Sequence, residues 1–162
     1  HPVDDAGEEH RSAVELAEIM VSFGRLHGAA DTLAEFVRGN PKQAVTPWLK
    51  LLEVYRAAGL REDFSAVARE LNKTFNVLAV TWDNYDAVRH NAIRLEDMPH
   101  IAARVQQLWG TRECQSYLQH LLRDNRDGSR AGFPFTVIDD ILMLSAVLEH
   151  ELGPFRVAPT PA

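Results

Sequence analysis

The run VELAEIMVSFGRLHGAADTLAEFVRGNPKQAVTPWLKLLEVYRAAGLREDFSAVARELNKTF, residues 14–75, decides the fold. Val14, Ala17, Met20 and Val21 recur at three- and four-residue spacing while Glu15, Glu18 and Ser22 take the other face, the period of an amphipathic helix that should stop at Gly24. Leu26 to Val37 repeats the pattern through Ala29, Ala30, Leu33 and Phe36. It ends at Gly39-Asn40-Pro41, because proline has no amide hydrogen to continue a helix. Thr46-Pro47 offers an N-cap hydroxyl and a proline at the first helical position. Trp48, Leu51, Leu52 and Tyr55 then form a third apolar face closed by Gly59, and Phe64, Val67, Ala68 and Leu71 mark a fourth helix from Arg61 to Phe75.

Aligning the first pair of helices on the second matches Gly24 with Gly59, Leu16 with Leu51, Met20 with Tyr55 and Phe36 with Leu71, a period near 35 residues. The tetratricopeptide repeat has a nominal period of about 34. Each glycine permits a tight turn between paired helices, and the small Ala29 lets the first pair nest. Departures exist: Ala13 replaces a bulky first-helix anchor, and Phe64 stands where a small residue is usual. Such repeats stack side by side and leave a concave surface lined by their first helices, which holds extended peptides or partner helices. Arg11, Glu15, Glu18, Ser22, Lys50, Glu53 and Arg56 are expected on that inner face as a mixed-charge groove, although charged positions on amphipathic helices usually do no more than meet solvent.

Outside this run the chain reads as follows. Residues 1–9 are polar with Pro and Gly and read as a disordered linker; residues 10–152 form a single helical domain; residues 153–162 contain three prolines and read as a disordered tail. Within the domain, residues 76–95 are an irregular crossing segment, since Val77, Leu78, Val80, Thr81 and Trp82 favour extended backbone while Asp83, Asn84 and Asp86 favour turns. Residues 96–152 supply three further helices. One opens at Asp97-Pro99 and closes at Gly110, one is capped by Thr111, and one begins at Thr136 with Asp139 three residues on as a weak capping box. The expected fold is all-α: tetratricopeptide-like hairpins stacked as a short right-handed solenoid, with a C-terminal hairpin plus capping helix.

Composition narrows the function. A chain of 162 residues with 46% hydrophobic and 25% charged residues is of single-domain size and too apolar for disorder. A net charge of -6 argues against nucleic acid, whose binding rests on Lys and Arg displacing counterions. One cysteine, Cys114, excludes an internal disulfide and fits a cytoplasmic location. The longest apolar stretch, Ile141 to Leu148, is far short of the roughly twenty residues of a membrane span. The chain opens His1-Pro2 with no initiator Met and no secretion signal, and is read as a piece of a longer protein.

The stretch from Val14 to Asp83 resembles the tetratricopeptide portion of the FimV family, bacterial proteins of type IV pilus assembly and cell-pole organisation. The resemblance is carried by Leu16 to Gly24, by Leu51-Leu52-Glu53-Val54-Tyr55 before Gly59, and by Phe64 followed by Ala68-Arg69-Glu70-Leu71. It implies a non-catalytic scaffold that binds protein or peptide partners in the cytoplasm, tethered at the inner membrane or cell pole through parts absent from this chain, and acting in pilus assembly and twitching motility.

No pattern of catalytic residues or of cofactor or metal ligands stands out. None of the seven histidines has an i, i+4 partner with the adjacent acid of zinc hydrolases. Cys114, near a helix N-terminus, lacks a base in sequence and reads as structural. Arg126, Gly128 and Arg130 form the one loop suited to an anion, without the Lys-Ser/Thr of a phosphate-binding loop. Two rival functions are a secretion chaperone built on the same repeats, and an enzyme or ligand-responsive regulator with a pocket between the repeat and C-terminal halves near Trp82 and Trp109.

Overall fold

The computed structural model describes residues 2–155, with side chains from residue 9 onward. Eight helices occur among them: α1 (Pro2–Ser22), α2 (Leu26–Gly39), α3 (Thr46–Ala58), α4 (Arg61–Thr74), α5 (Tyr85–Arg89), α6 (Pro99–Leu108), α7 (Arg112–Arg123) and α8 (Phe135–Leu152), with a 3-10 turn at Leu95–Asp97. No strand is present among the described residues, only an isolated parallel bridge between Val77 and Phe133. The all-α expectation holds. The chain divides into two compact units where composition suggests one: α1–α4 with residues 79–85, and residues 76–78 with the chain from Asp86 onward.

In the first unit α1 packs on α2, α2 on α3, α3 on α4, and α1 also touches α3. Each hairpin therefore pairs its own two helices, and the first helices of successive hairpins lie side by side. Gly24 and Gly59, aligned by the repeat, both adopt left-handed backbone, at φ 76° and 73°, a region that glycine enters without steric cost. Ala29 and Ala30 are buried, as close approach of α1 and α2 demands. Leu33, Leu51, Leu52, Phe64 and Leu71 form the core. Phe64 is enclosed on two sides, edge-on to Trp82 and to Tyr85, with ring centroids 5.4 and 5.3 Å away. The bulky side chain that departs from the repeat pattern is thus where the 79–85 segment folds back over α4.

The start of α1 corrects the sequence reading. The helix runs from Pro2, so residues 2–9 are helical rather than a linker. Proline is tolerated at a first helical position. Thr46 is a second correction: it is already inside α3, Val45 is the N-cap, and no side chain caps this end. Pro47 keeps its expected place in the first turn. Residues 156–162, most of the tail, lie outside the described residues.

In the second unit α7 and α8 form a hairpin, with α6 packed on α7 and the 3-10 turn against both α6 and α8. Thr111 caps α7 as expected, accepting from the Cys114 amide at 3.1 Å. Arg112 donates to the carbonyl of Leu152 at the C-terminal end of α8, and the buried Gln115 donates to the Gly153 carbonyl at 2.9 Å. A guanidinium placed there meets the carbonyls that a helix C-terminus leaves unpaired. Thr136 does not form a capping box with Asp139. α8 starts one residue earlier, after Pro134; the Thr136 hydroxyl donates to the carbonyl of Ile93, and Asp139 pairs with Arg89 at 2.8 Å.

Residues 76–94 hold one short helix, α5, between stretches without regular structure. Residues 76–78 form part of the second unit's frame. Asn76 receives Phe133 and donates to Leu122 through the backbone, Leu78 donates to Phe133, and the Asn76 side-chain amide donates to Leu121 at 3.1 Å.

Candidate functional site

The packing of α1 beside α3 brings part of the expected inner face together. Lys50, half-buried on α3, lies 3.7 Å from Glu18 of α1 and 3.7 Å from Glu53 one turn along its own helix. Two carboxylates thus share one ammonium, leaving the set with net negative charge. Arg11, Glu15 and Ser22 are exposed on α1, and helical spacing puts them on the same side as Glu18. The Ser22 hydroxyl donates to the Ile19 carbonyl at 2.7 Å.

Arg56 does not join this set. Its guanidinium lies over the Trp82 ring, 4.4 Å from the centroid, and donates to the Trp82 carbonyl. Aromatic faces attract cations and the guanidinium is planar, so the residue is held as a clamp on the 79–85 segment instead of facing a groove. Nothing in the spacing of Arg56 foretells this, because its partner is 26 residues away in the segment whose path the periodicity leaves open.

Large apolar side chains are exposed on α1. Leu16, Ile19 and Phe23 are 46%, 55% and 79% exposed and form one stripe, although Leu51, the repeat equivalent of Leu16, is fully buried. The difference is positional. Leu51 sits within the pile of helices, whereas Leu16 is on its outermost member.

A cleft of about 410 Å³ opens between α2 and α4 above α3. Its floor is Trp48, Leu51 and Tyr55, and its walls carry Ala34, Val37 and Arg38 from α2 and Ala66, Val67, Glu70 and Thr74 from α4. On α3 these floor residues lie opposite Lys50 and Glu53. The Trp48 indole is anchored by donating to the Pro41 carbonyl at 3.0 Å. Burial, with Asp63 and Asp31 nearby, pushes the Tyr55 phenol above its ordinary pKa, against a smaller opposing effect of Arg38.

The loop suggested for anions is internally satisfied. The amides of Gly128 and Arg130 bond to the Asn125 carbonyl and that of Ser129 to Arg126, so these donors face their own turn. Arg130 lies 3.7 Å from Asp124, which also meets His120 at 3.3 Å, and Arg126 is exposed. Backbone conformation explains the composition: Arg126, Asp127 and Gly128 are three successive left-handed residues.

Of the remaining candidates, Cys114 is fully buried and its thiol is pushed up by desolvation, the reverse of what a nucleophile needs. Trp82 belongs to the first unit and is engaged by Phe64 and Arg56; Trp109, in the second, is 40% exposed, and Phe133 is buried. The adjacent carboxylates of α8 are both engaged. Arg89 takes Asp139, and Arg94 takes Asp140, holding that carboxyl below the usual range with help from the Leu95 amide at 3.0 Å. Among the described residues no group of three or more His, Cys, Asp or Glu is placed to hold a metal, and no helix is long and apolar enough to cross a membrane. Compared with protein-family models, curated proteins and solved structures, the chain matches none.

Proposed function

We propose that the α1–α4 unit is a non-catalytic protein-interaction module of tetratricopeptide-like type, and that its inner face, built from α1 and α3, receives a segment of a partner protein. The observation that carries this reading is the side-by-side contact of α1 and α3, which gathers Glu18, Lys50 and Glu53 into one charged set from two different hairpins. Charges arranged across an interface steer encounter and fix register more than they add affinity. The exposed Leu16, Ile19 and Phe23 supply apolar area on the same helix. A cytoplasmic setting in pilus assembly or at the cell pole is the biological context suggested by the FimV-like residues of the repeat.

The reading is tested by in-cell photo-crosslinking of the full chain, with a photoreactive residue at Ser22 on the inner face or at Ala103 on the exposed side of α6. A discrete adduct from position 22 that is absent from position 103, and that disappears in Glu18→Lys/Glu53→Lys while helical circular dichroism is unchanged, supports it. The same adduct from both positions, or none from position 22, rejects it.

A further inference from the structure

The repeat that aligns Leu16 with Leu51 also aligns Ser12 with Pro47, Glu15 with Lys50, Ile19 with Val54 and Phe23 with Ala58. On α3 these positions form the edge turned toward the preceding hairpin, both of whose helices pack on α3. Lys50 reaches back to Glu18 of α1 at 3.7 Å, and Pro47 and Val54 stand one turn before and after it on the same side of the helix. Pro47, Leu51 and Val54 are buried, and Lys50 and Ala58 are half-buried. Their equivalents on α1, namely Ser12, Glu15, Leu16, Ile19 and Phe23, are all exposed.

A single exposed leucine is ordinary; three large apolar side chains in line on an edge that is covered one repeat later are not. The α3 edge shows what covers it: a pair of helices, of which α2 brings the small and aliphatic Ala29, Ala30, Leu33 and Val37 and α1 brings a charge to Lys50. Two differences between the edges constrain what fits α1. Glu15 stands where α3 has Lys50, so the group opposite it is a cation where Glu18 is an anion. Phe23 stands where α3 has Ala58, so small residues are needed around its ring. A second copy of the chain fails the first condition, because turned antiparallel onto the same face it sets the Glu15 edge against its own counterpart.

We propose that the outer edge of α1, from Ser12 to Phe23, docks a helical hairpin of another polypeptide, stacked on α1 as the α1–α2 hairpin is stacked on α3. Its second helix covers Leu16 and Ile19, its first helix sets a Lys or Arg opposite Glu15, and small residues surround Phe23. The proposal names an occupant for the apolar area of α1 and rests on the interaction reading above only for the stacking of hairpins. Burial of Leu16, Ile19 and Phe23 supplies the affinity, and Glu15 fixes the register.

The probe is the α1–α2 hairpin itself: a copy of residues 11–45 inserted between His10 and Arg11 of the full chain, which keeps the spacing of the repeat. Glu18 of the copy then faces the original Glu15 as the original Glu18 faces Lys50. Amide exchange over the original residues 16–23 is expected to slow by about tenfold or more. Glu18→Lys in the copy slows it by a further factor of about two to five, and Glu15→Lys in the original reverses that preference. Exchange as fast as in the native chain overturns the proposal, also where the copy stays unfolded, since docking is what would fold it; so does a charge preference that does not reverse. A native chain that sediments as a dimer and becomes monomeric on Ile19→Glu overturns it as well, because a second copy then covers the edge. The original Glu18, Lys50 and Glu53 are unchanged in every variant, so the crosslink from position 22 is read separately and either reading can fail alone.

Discussion

Gly132 and Val77 approach so closely that a β-carbon on Gly132 would lie 2.4 Å from the carbonyl carbon of Val77 and 2.5 Å from the Leu78 nitrogen. Side-chain carbons do not come that near to backbone. The contact is the point at which residues 76–78 bridge to Phe133, so the glycine is needed for backbone proximity as well as for its φ of 93°. Gly132→Ala is expected to destabilise the second unit by about 1–3 kcal/mol from conformation alone, with the clash in addition. Urea unfolding followed by circular dichroism checks this; a wild-type midpoint in Gly132→Ala would show that the bridge does not hold the segment in solution.

Phe64 should matter more than any other ring in the first unit. It is fully buried and meets both Trp82 and Tyr85 edge-on. Phe64→Ala is expected to cost about 3–5 kcal/mol, and Phe64→Leu, which keeps most of the volume, less than half as much. Chemical denaturation read by tryptophan fluorescence measures both. Near-equal losses would mean that the aromatic contacts, and not the filled volume, are what count.

Asp140 gives the second unit a defined acid sensitivity. Arg94 binds both of its oxygens and the Leu95 amide adds a third donor, so the folded carboxyl titrates below its unfolded value of about 3.9. A depressed folded pKa contributes stability that is fully present above the unfolded pKa and is lost as pH falls through the folded one. Asp140→Asn should therefore be less stable than wild type near neutrality, and the gap should close as the solution is acidified below the ordinary carboxylate range. Thermal melts from pH 7 to pH 2 test the sign. A gap that widens on acidification would contradict the Arg94–Asp140 assignment.

The helices of the first unit were legible because each has a clear period and a stop signal, and Gly24 and Gly59 turn out to share one backbone conformation. The start of α1 was not legible, since the Pro and Gly within residues 2–9 resemble a linker although proline is also accepted at a helix start. Position in the pile was also hidden. Leu16 and Leu51 occupy one column of the repeat, yet one is half-exposed and the other buried, because the column does not say which helix lies outermost. Of the candidate site, the Glu18–Lys50–Glu53 set follows from repeat spacing, whereas the Arg56–Trp82 clamp depends on a partner in an irregular segment. Gly128, in the loop read as suited to an anion, is explained by its left-handed backbone, and Gly132 beyond it by its φ and its approach to Val77.

Side by side, α1 and α3 are proposed to form a surface for another polypeptide. Amide hydrogen exchange of the full chain, alone and with the protein captured from position 22, tests it most directly. Slower exchange across α1 and α3 in the complex, with the second unit unchanged, is the predicted result. Slowing confined to the chain beyond Asp86, with α1 and α3 exchanging as in the free protein, would contradict it.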